Sequence, residues 1–119
     1  MQDERRKRQV VQVLAKPIVQ CLEEERILFD HIQEIKLRIG KPLIIIYRGK
    51  KKELWKDVIV TKEEIKETLE YISNYSLYAY EHELKQGFIT IEGGHRVGMA
   101  GQVIMEEGED KEFEIYIFN

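Results

Sequence analysis

Glu34-Ile35-Lys36-Leu37-Arg38-Ile39-Gly40-Lys41-Pro42-Leu43-Ile44-Ile45-Ile46-Tyr47 is the stretch that decides the fold class. Ile35, Leu37 and Ile39 alternate with Lys36 and Arg38, the period of two that sends every second side chain to one face of a strand. Gly40-Lys41-Pro42 punctuates the pattern. Residues 43–47 then form a run rich in β-branched side chains, which predicts a strand buried on both faces. Arg48-Gly49-Lys50-Lys51-Lys52 reads as a turn, and Glu53-Leu54-Trp55 as a short strand resuming beyond it. The three lysines fit a solvated hairpin tip, with a phosphate or an acidic partner as the functional alternative.

Upstream, residues 4–32 read as helix. Val10, Val11, Leu14, Ile18 and Leu22 recur at helical spacing and make one apolar stripe. Pro17 lies inside the stripe and predicts a break near Lys16. The first eight residues are polar and are expected to fray. The stripe is expected to face a core, with a docking face for a partner as the alternative.

Downstream, Thr61 and Glu64 have the spacing of a capping box, in which hydroxyl and carboxylate each satisfy an orphan backbone N–H. Ile65, Leu69 and Ile72 continue the helix, which Ser73-Asn74-Tyr75-Ser76 should interrupt. Ser76 caps a second helix running to about Gln86, with Leu77, Tyr80 and Leu84 inward and Gly87 closing it. Residues 88–91 alternate again, Gly93-Gly94 signals a tight turn with positive φ at both positions, and residues 95–104 return as a strand. Gly98 and Gly101 inside that strand point to a bulge or a close backbone approach. After an acidic turn at 106–111, Phe113, Ile115 and Ile117 alternate in a further strand.

This order predicts an α+β fold: a largely antiparallel sheet, helices packed on one face, and a helical segment over 1–33 leading into an accessory domain over 34–119, all in one compact unit. The chain has 119 residues, 43% hydrophobic and 34% charged, which fits one soluble domain. Its longest apolar run, residues 43–47, is far short of a membrane span. The charged N-terminus is unlike a secretory signal, and a single cysteine, Cys21, rules out an internal disulfide and a thiolate cluster. A reducing cytoplasm is the expected compartment. Ile117-Phe118-Asn119 closes the chain inside an apolar strand pattern, which a natural terminus can do and which is more often expected of an excised domain or a truncated reading.

Charge is split along the chain. Residues 1–60 hold 14 Lys and Arg against 9 Asp and Glu, and residues 61–119 hold 5 against 13. Such a dipolar domain suits a head-to-tail meeting with a copy of itself or a neighbour, whereas a formal net charge of −3 argues against nucleic acid.

No G-x-x-x-x-G-K-[ST] phosphate loop is present, and His31, His82 and His95 lack metal-ligand spacing. Cys21 falls on the apolar stripe and reads as core. The least generic stretch is Ile91-Glu92-Gly93-Gly94-His95-Arg96-Val97-Gly98-Met99-Ala100-Gly101. Bare backbone N–H groups beside His95 and Arg96 suit an anion or a neighbouring subunit. Gly98-Met99-Ala100-Gly101 matches the G-x-x-G of KH domains, but that loop should join two helices and here falls in a strand pattern.

Two blocks carry a resemblance. Glu34-Ile35-Lys36-Leu37-Arg38-Ile39-Gly40-Lys41-Pro42-Leu43 is the first; residues 73–80 (SNYSLYAY) with 83–98 (ELKQGFITIEGGHRVG) form the second, more specific one. Over roughly 34–105 the chain resembles the stage III sporulation protein AA family of endospore-forming bacteria. That family is similar to the ring-forming ATPases of secretion and type IV pili, with an N-terminal domain preceding a RecA-like ATPase domain. The resemblance implies an N-terminal assembly and regulatory domain without the ATPase domain, hence non-catalytic. ATP and Mg belong to the full-length family and no cofactor to this fragment. The implied partners are the chain itself, in a ring-type homo-oligomer, and membrane proteins of a channel between mother cell and forespore. The implied location is cytoplasmic, membrane-associated through those partners. By the same resemblance, Arg96, His95, Gly93, Gly94 and Arg38 are candidates for contact with nucleotide or an adjacent subunit, with no catalytic or metal residue. A stand-alone cytoplasmic module docking a membrane complex through the 4–32 stripe is the alternative.

Overall fold

The computed structural model describes residues 2–54, 59–75, 88–90, 94–100 and 114–118. Trp55, the helix expected over 76–86, Gly87, Gly93 and the acidic turn at 106–111 lie outside them. Among the described residues, three helices, α1 (Gln2–Val11), α2 (Lys16–Glu24) and α3 (Lys62–Tyr75), accompany six strands. The strands are β1 (Ile32–Arg38), β2 (Leu43–Tyr47), β3 (Lys50–Leu54), β4 (Phe88–Thr90), β5 (Arg96–Ala100) and β6 (Glu114–Phe118). They form one sheet in the order β3-β2-β1-β6-β5-β4, and every neighbouring pair is antiparallel. The α+β class with an antiparallel sheet is therefore as expected.

The period-two reading explains the sheet. Ile35 pairs with Ile45 on one side and Ile117 on the other, Leu37 pairs with Ile115, and Val97 pairs with Ile117. All lie on the same face and are buried in one cluster with Val10, Leu14, Ile18 and Leu22 of the N-terminal segment and Ile65, Leu69 and Ile72 of α3. Each buried aliphatic side chain contributes about 1.5–3 kcal/mol. In β2 the burial on both faces holds for Leu43, Ile44 and Ile45, while Ile46 and Tyr47 are half-exposed.

Several boundaries differ from the expectation. The single helix over 4–32 is two helices and a 3₁₀ turn (Phe29–His31), and β1 already begins at Ile32. The break falls at residues 12–15, just before Pro17, whose fixed φ suits a first turn. The backbone N–H groups exposed by that break are taken up by α3: Ala15 N–H donates to the buried Thr68 Oγ1 at 3.0 Å and Lys16 N–H to Glu67 Oε2 at 2.9 Å. α1 begins at Gln2, so the polar first residues are helical where fraying was expected. The capping box is present as read, with Thr61 N–H donating to Glu64 Oε1 at 2.8 Å and Glu64 N–H to Thr61 Oγ1 at 3.2 Å. Ser73, Asn74 and Tyr75 continue α3 instead of interrupting it. Ile39 lies in the turn beyond β1, where Gly40 (φ +78) donates to Val60 O at 2.9 Å. The β5–β6 register runs without a shift from Arg96 to Ala100, so Gly98 marks no bulge.

Candidate functional site

His95 and Arg96 are neighbours whose side chains part company. Val97 is on the core face, so residue 95 shares that face and Arg96 lies on the other. Arg96 is exposed, whereas His95 is only 4% exposed and sits beneath α1. Its Nε2 is 3.0 Å from Gln9 Oε1, and with that oxygen accepting, Nε2 carries the proton. Burial lowers the His95 pKa below the usual 6.5, and the nearby Arg6 charge lowers it further, so the imidazole is neutral at pH 7.

Arg6 completes the seam. One turn of α1 before Gln9 and Val10, it places Nη1 3.0 Å from Asp30 O and Nη2 3.0 Å from Ile32 O. The guanidinium fork thus bridges two carbonyls where the 3₁₀ turn hands over to β1. A cavity of about 20 Å³, room for one water, lies between these groups and Phe29, Ile35 and Ile117. A charged side chain, an amide and an imidazole therefore tie α1 to the sheet. Sequence reasoning missed Arg6 and Gln9. The available signal was the stripe itself: extended backward from Val10 at helical spacing, it lands on Arg6.

The other candidates do not gather round His95. Gly94 is exposed with φ +80, as the turn reading requires, and an added Cβ would meet nothing within 4 Å. Gly93 lies outside the described residues. Arg38 shares the outer face with Arg96, but Arg38 pairs with Glu114 and Arg96 with Phe118, at opposite ends of β6. They are about 14 Å apart along the strand direction and on flanking strands, so the two do not converge on one phosphate group.

A second polar region is the β2–β3 hairpin. Tyr47, Arg48, Lys50, Lys51 and Lys52 line an open groove of about 480 Å³. Arg48 and Lys52 lie 5.5 and 5.6 Å from the Tyr47 ring centroid, within cation–π range. Cys21 is buried as read, and burial with nearby Glu25 pushes its thiol up to about 12, leaving it without nucleophilic character at neutral pH. Among the described residues no group of three His, Cys, Asp or Glu side chains is placed to hold a metal, and no helix is long and apolar enough to cross a membrane.

Fold and seam together define a small α+β domain whose N-terminal helix pair is built into the core of an antiparallel sheet. The family model for sporulation stage III, protein AA matches residues 4–118, and the chain belongs to that family. It is 46% identical over 77 residues to the stage III sporulation protein AA of Bacillus subtilis (strain 168). That alignment covers 65% of this chain and 24% of the relative, so the chain spans about a quarter of the relative's length. The resemblance read from residues 34–105 thus extends over nearly the whole chain.

Proposed function

We propose that the chain is an N-terminal assembly and regulatory domain of a sporulation ATPase related to secretion motors, non-catalytic by itself. In this reading it packs subunits of a ring-type homo-oligomer and couples them, from the cytoplasmic side, to the membrane proteins of a mother cell–forespore channel. ATP and Mg would be held by the remainder of such a protein. The observation that carries the reading is the family match over 4–118 in a chain that spans about a quarter of its relative. The geometry supports it in one respect: Arg96 is exposed on the face of the sheet opposite Val97, where an adjacent subunit can meet it. The alternative, docking through the 4–32 stripe, loses its surface, because Val10, Leu14, Ile18 and Leu22 are buried. The test is ATP turnover by the purified chain. None above the blank is expected; turnover that survives repurification and disappears in Arg96→Ala would overturn the reading.

A further inference from the structure

We propose that the outer edge of β3 receives an extended acidic peptide as an added strand, with acids at alternate positions facing Lys50 and Lys52. The inference stands apart from the ATPase reading: ATP turnover by the chain would overturn that reading and leave this one intact.

β3 is the outermost strand at one end of the sheet, with β2 beside it on the inner side. Arg48 and Gly49 form the two-residue loop before it, both with positive φ, +52 and +80, the geometry of a tight hairpin. In such a hairpin the residues flanking the loop exchange hydrogen bonds, and the ladder then uses every second residue. Tyr47 with Lys50, Ile45 with Lys52 and Leu43 with Leu54 are therefore the bonded pairs. The N–H and C=O of Lys51 and Glu53 point the other way, to the outer edge. Residues 50–53 are exposed throughout. An extended chain laid along them takes up those backbone groups, the mode of β-strand addition.

Charge decides what can be added. Lys50 and Lys52 pair with Tyr47 and Ile45 and share their face, while Lys51 and Glu53 share the opposite one. On that opposite face Lys51 Nζ lies 3.8 Å from Glu53 Oε1, so the two charges offset each other. On the Tyr47 face Arg48 and Lys52 lie 5.5 and 5.6 Å from the ring centroid, and among the described residues no carboxylate forms an ion pair with Arg48, Lys50 or Lys52. One face of the edge is thus near neutral, and the other sets three cations beside an open groove of about 480 Å³.

A second copy does not fit this edge. Two antiparallel copies centred on Lys51, Lys52 or Glu53 set that residue against its own like charge. Lysines on an outer strand block such self-pairing, and the same side chains attract a strand that carries acids. A lone phosphate is also disfavoured. Arg48 N–H donates to His31 O at 3.0 Å and Gly49 N–H to Gln33 Oε1 at 2.6 Å, which spends the backbone donors of the turn. Because strand side chains alternate, the matching partner has an acid at every second position and neutral, strand-favouring residues between.

Fluorescence anisotropy at low ionic strength tests this with two labelled, end-capped peptides. One alternates glutamate with valine; the other has proline in place of each valine. The alternating peptide should bind. The proline peptide has the same charge but lacks the ladder N–H groups, and should bind about tenfold or more weakly. Lys52→Gln should weaken binding of the alternating peptide about fivefold and Lys51→Gln less than about twofold, although each removes one charge. Circular dichroism checks that both variants fold. Hydrogen exchange at the Lys51 and Glu53 amides should slow when the peptide is bound. Equal binding of the two peptides, equal losses in the two variants, or unchanged exchange at those amides would reduce the edge to a charged patch and overturn the proposal. So would an alternating peptide that does not bind. Lys52-dependent sedimentation with phosphatidylglycerol vesicles, tighter than binding of the peptide, would assign the cations to lipid phosphates and overturn it as well.

Discussion

The α1 seam and the β2–β3 tip each centre on an arginine. Arg6 donates to the carbonyls of Asp30 and Ile32 beside the buried His95, and Arg48 stands exposed on a strained turn among lysines. In the seam Arg6, Gln9 and His95 bond to groups inside the chain, and those bonds hold α1 on the sheet. At the tip the side-chain charges stand exposed, with Lys51 3.8 Å from Glu53 and with Arg48 and Lys52 over the Tyr47 ring. The same residue type is therefore half-buried and hydrogen-bonded in one place and exposed in the other, and the difference in desolvation sets how much each contributes to stability.

The contrast can be broken most severely at Phe29, which is 2% exposed and lines the seam cavity with Arg6 and His95. Phe29→Ala should cost about 3–5 kcal/mol in urea unfolding; a loss under 1 kcal/mol would mean that α1 is not held on the core. Arg6→Ala removes both fork bonds and should cost about 1.5–3 kcal/mol in the same assay, as charged hydrogen bonds do. Gly94→Val sharpens the picture one position before His95. No Cβ clash awaits it, so the loss should be the about 1–2 kcal/mol of a left-handed L-residue alone, and an unchanged melting temperature would show the turn to be permissive.

The next expectation concerns pH. The folded-state pKa of His95 is lowered, so below the usual 6.5 the unfolded chain binds the proton first and stability drains away. The loss sets in as pH falls through 6.5 and is complete below the folded pKa; above 6.5 the contribution is whole. The difference between unfolding curves of the parent and His95→Gln across that window isolates it, and parallel curves would show His95 to be solvated. The smallest effect belongs to the tip, where replacing Lys50, Lys51 and Lys52 with alanine should leave stability within about 0.5 kcal/mol per residue, as at exposed sites.

Local signals were legible in the sequence. The alternation of Ile35 and Leu37, the Thr61–Glu64 box, the Pro17 break and the buried Cys21 each depend on residues close along the chain, and each is present in the fold. The seam was not legible. Arg6 reaches carbonyls 24 and 26 positions away, and Gln9 reaches a histidine 86 positions away, distances at which no periodic pattern survives. The helix expected over 4–32 is longer than the one observed for a related reason. Leu14 keeps the stripe in phase across the break, and the acceptors that stabilise the break, Thr68 Oγ1 and Glu67 Oε2, come from α3. At the candidate site, the alternation that places His95 inward and Arg96 outward follows from strand period, while the ligand of His95 does not.

The strand order carries a consequence for synthesis. β1 sits between β2 and β6, and β6 sits between β1 and β5. As the chain leaves the ribosome, residues 32–54 can zip into a three-stranded meander by local pairing alone. One edge of β1 then stays unsatisfied until residues 114–118 emerge and slot in beside it, joining the meander to the β4–β5 hairpin in a single late event. Between the synthesis of residues 54 and 114 the nascent domain thus carries a sticky strand exposed, and the cell must shelter that edge or bring out β6 quickly.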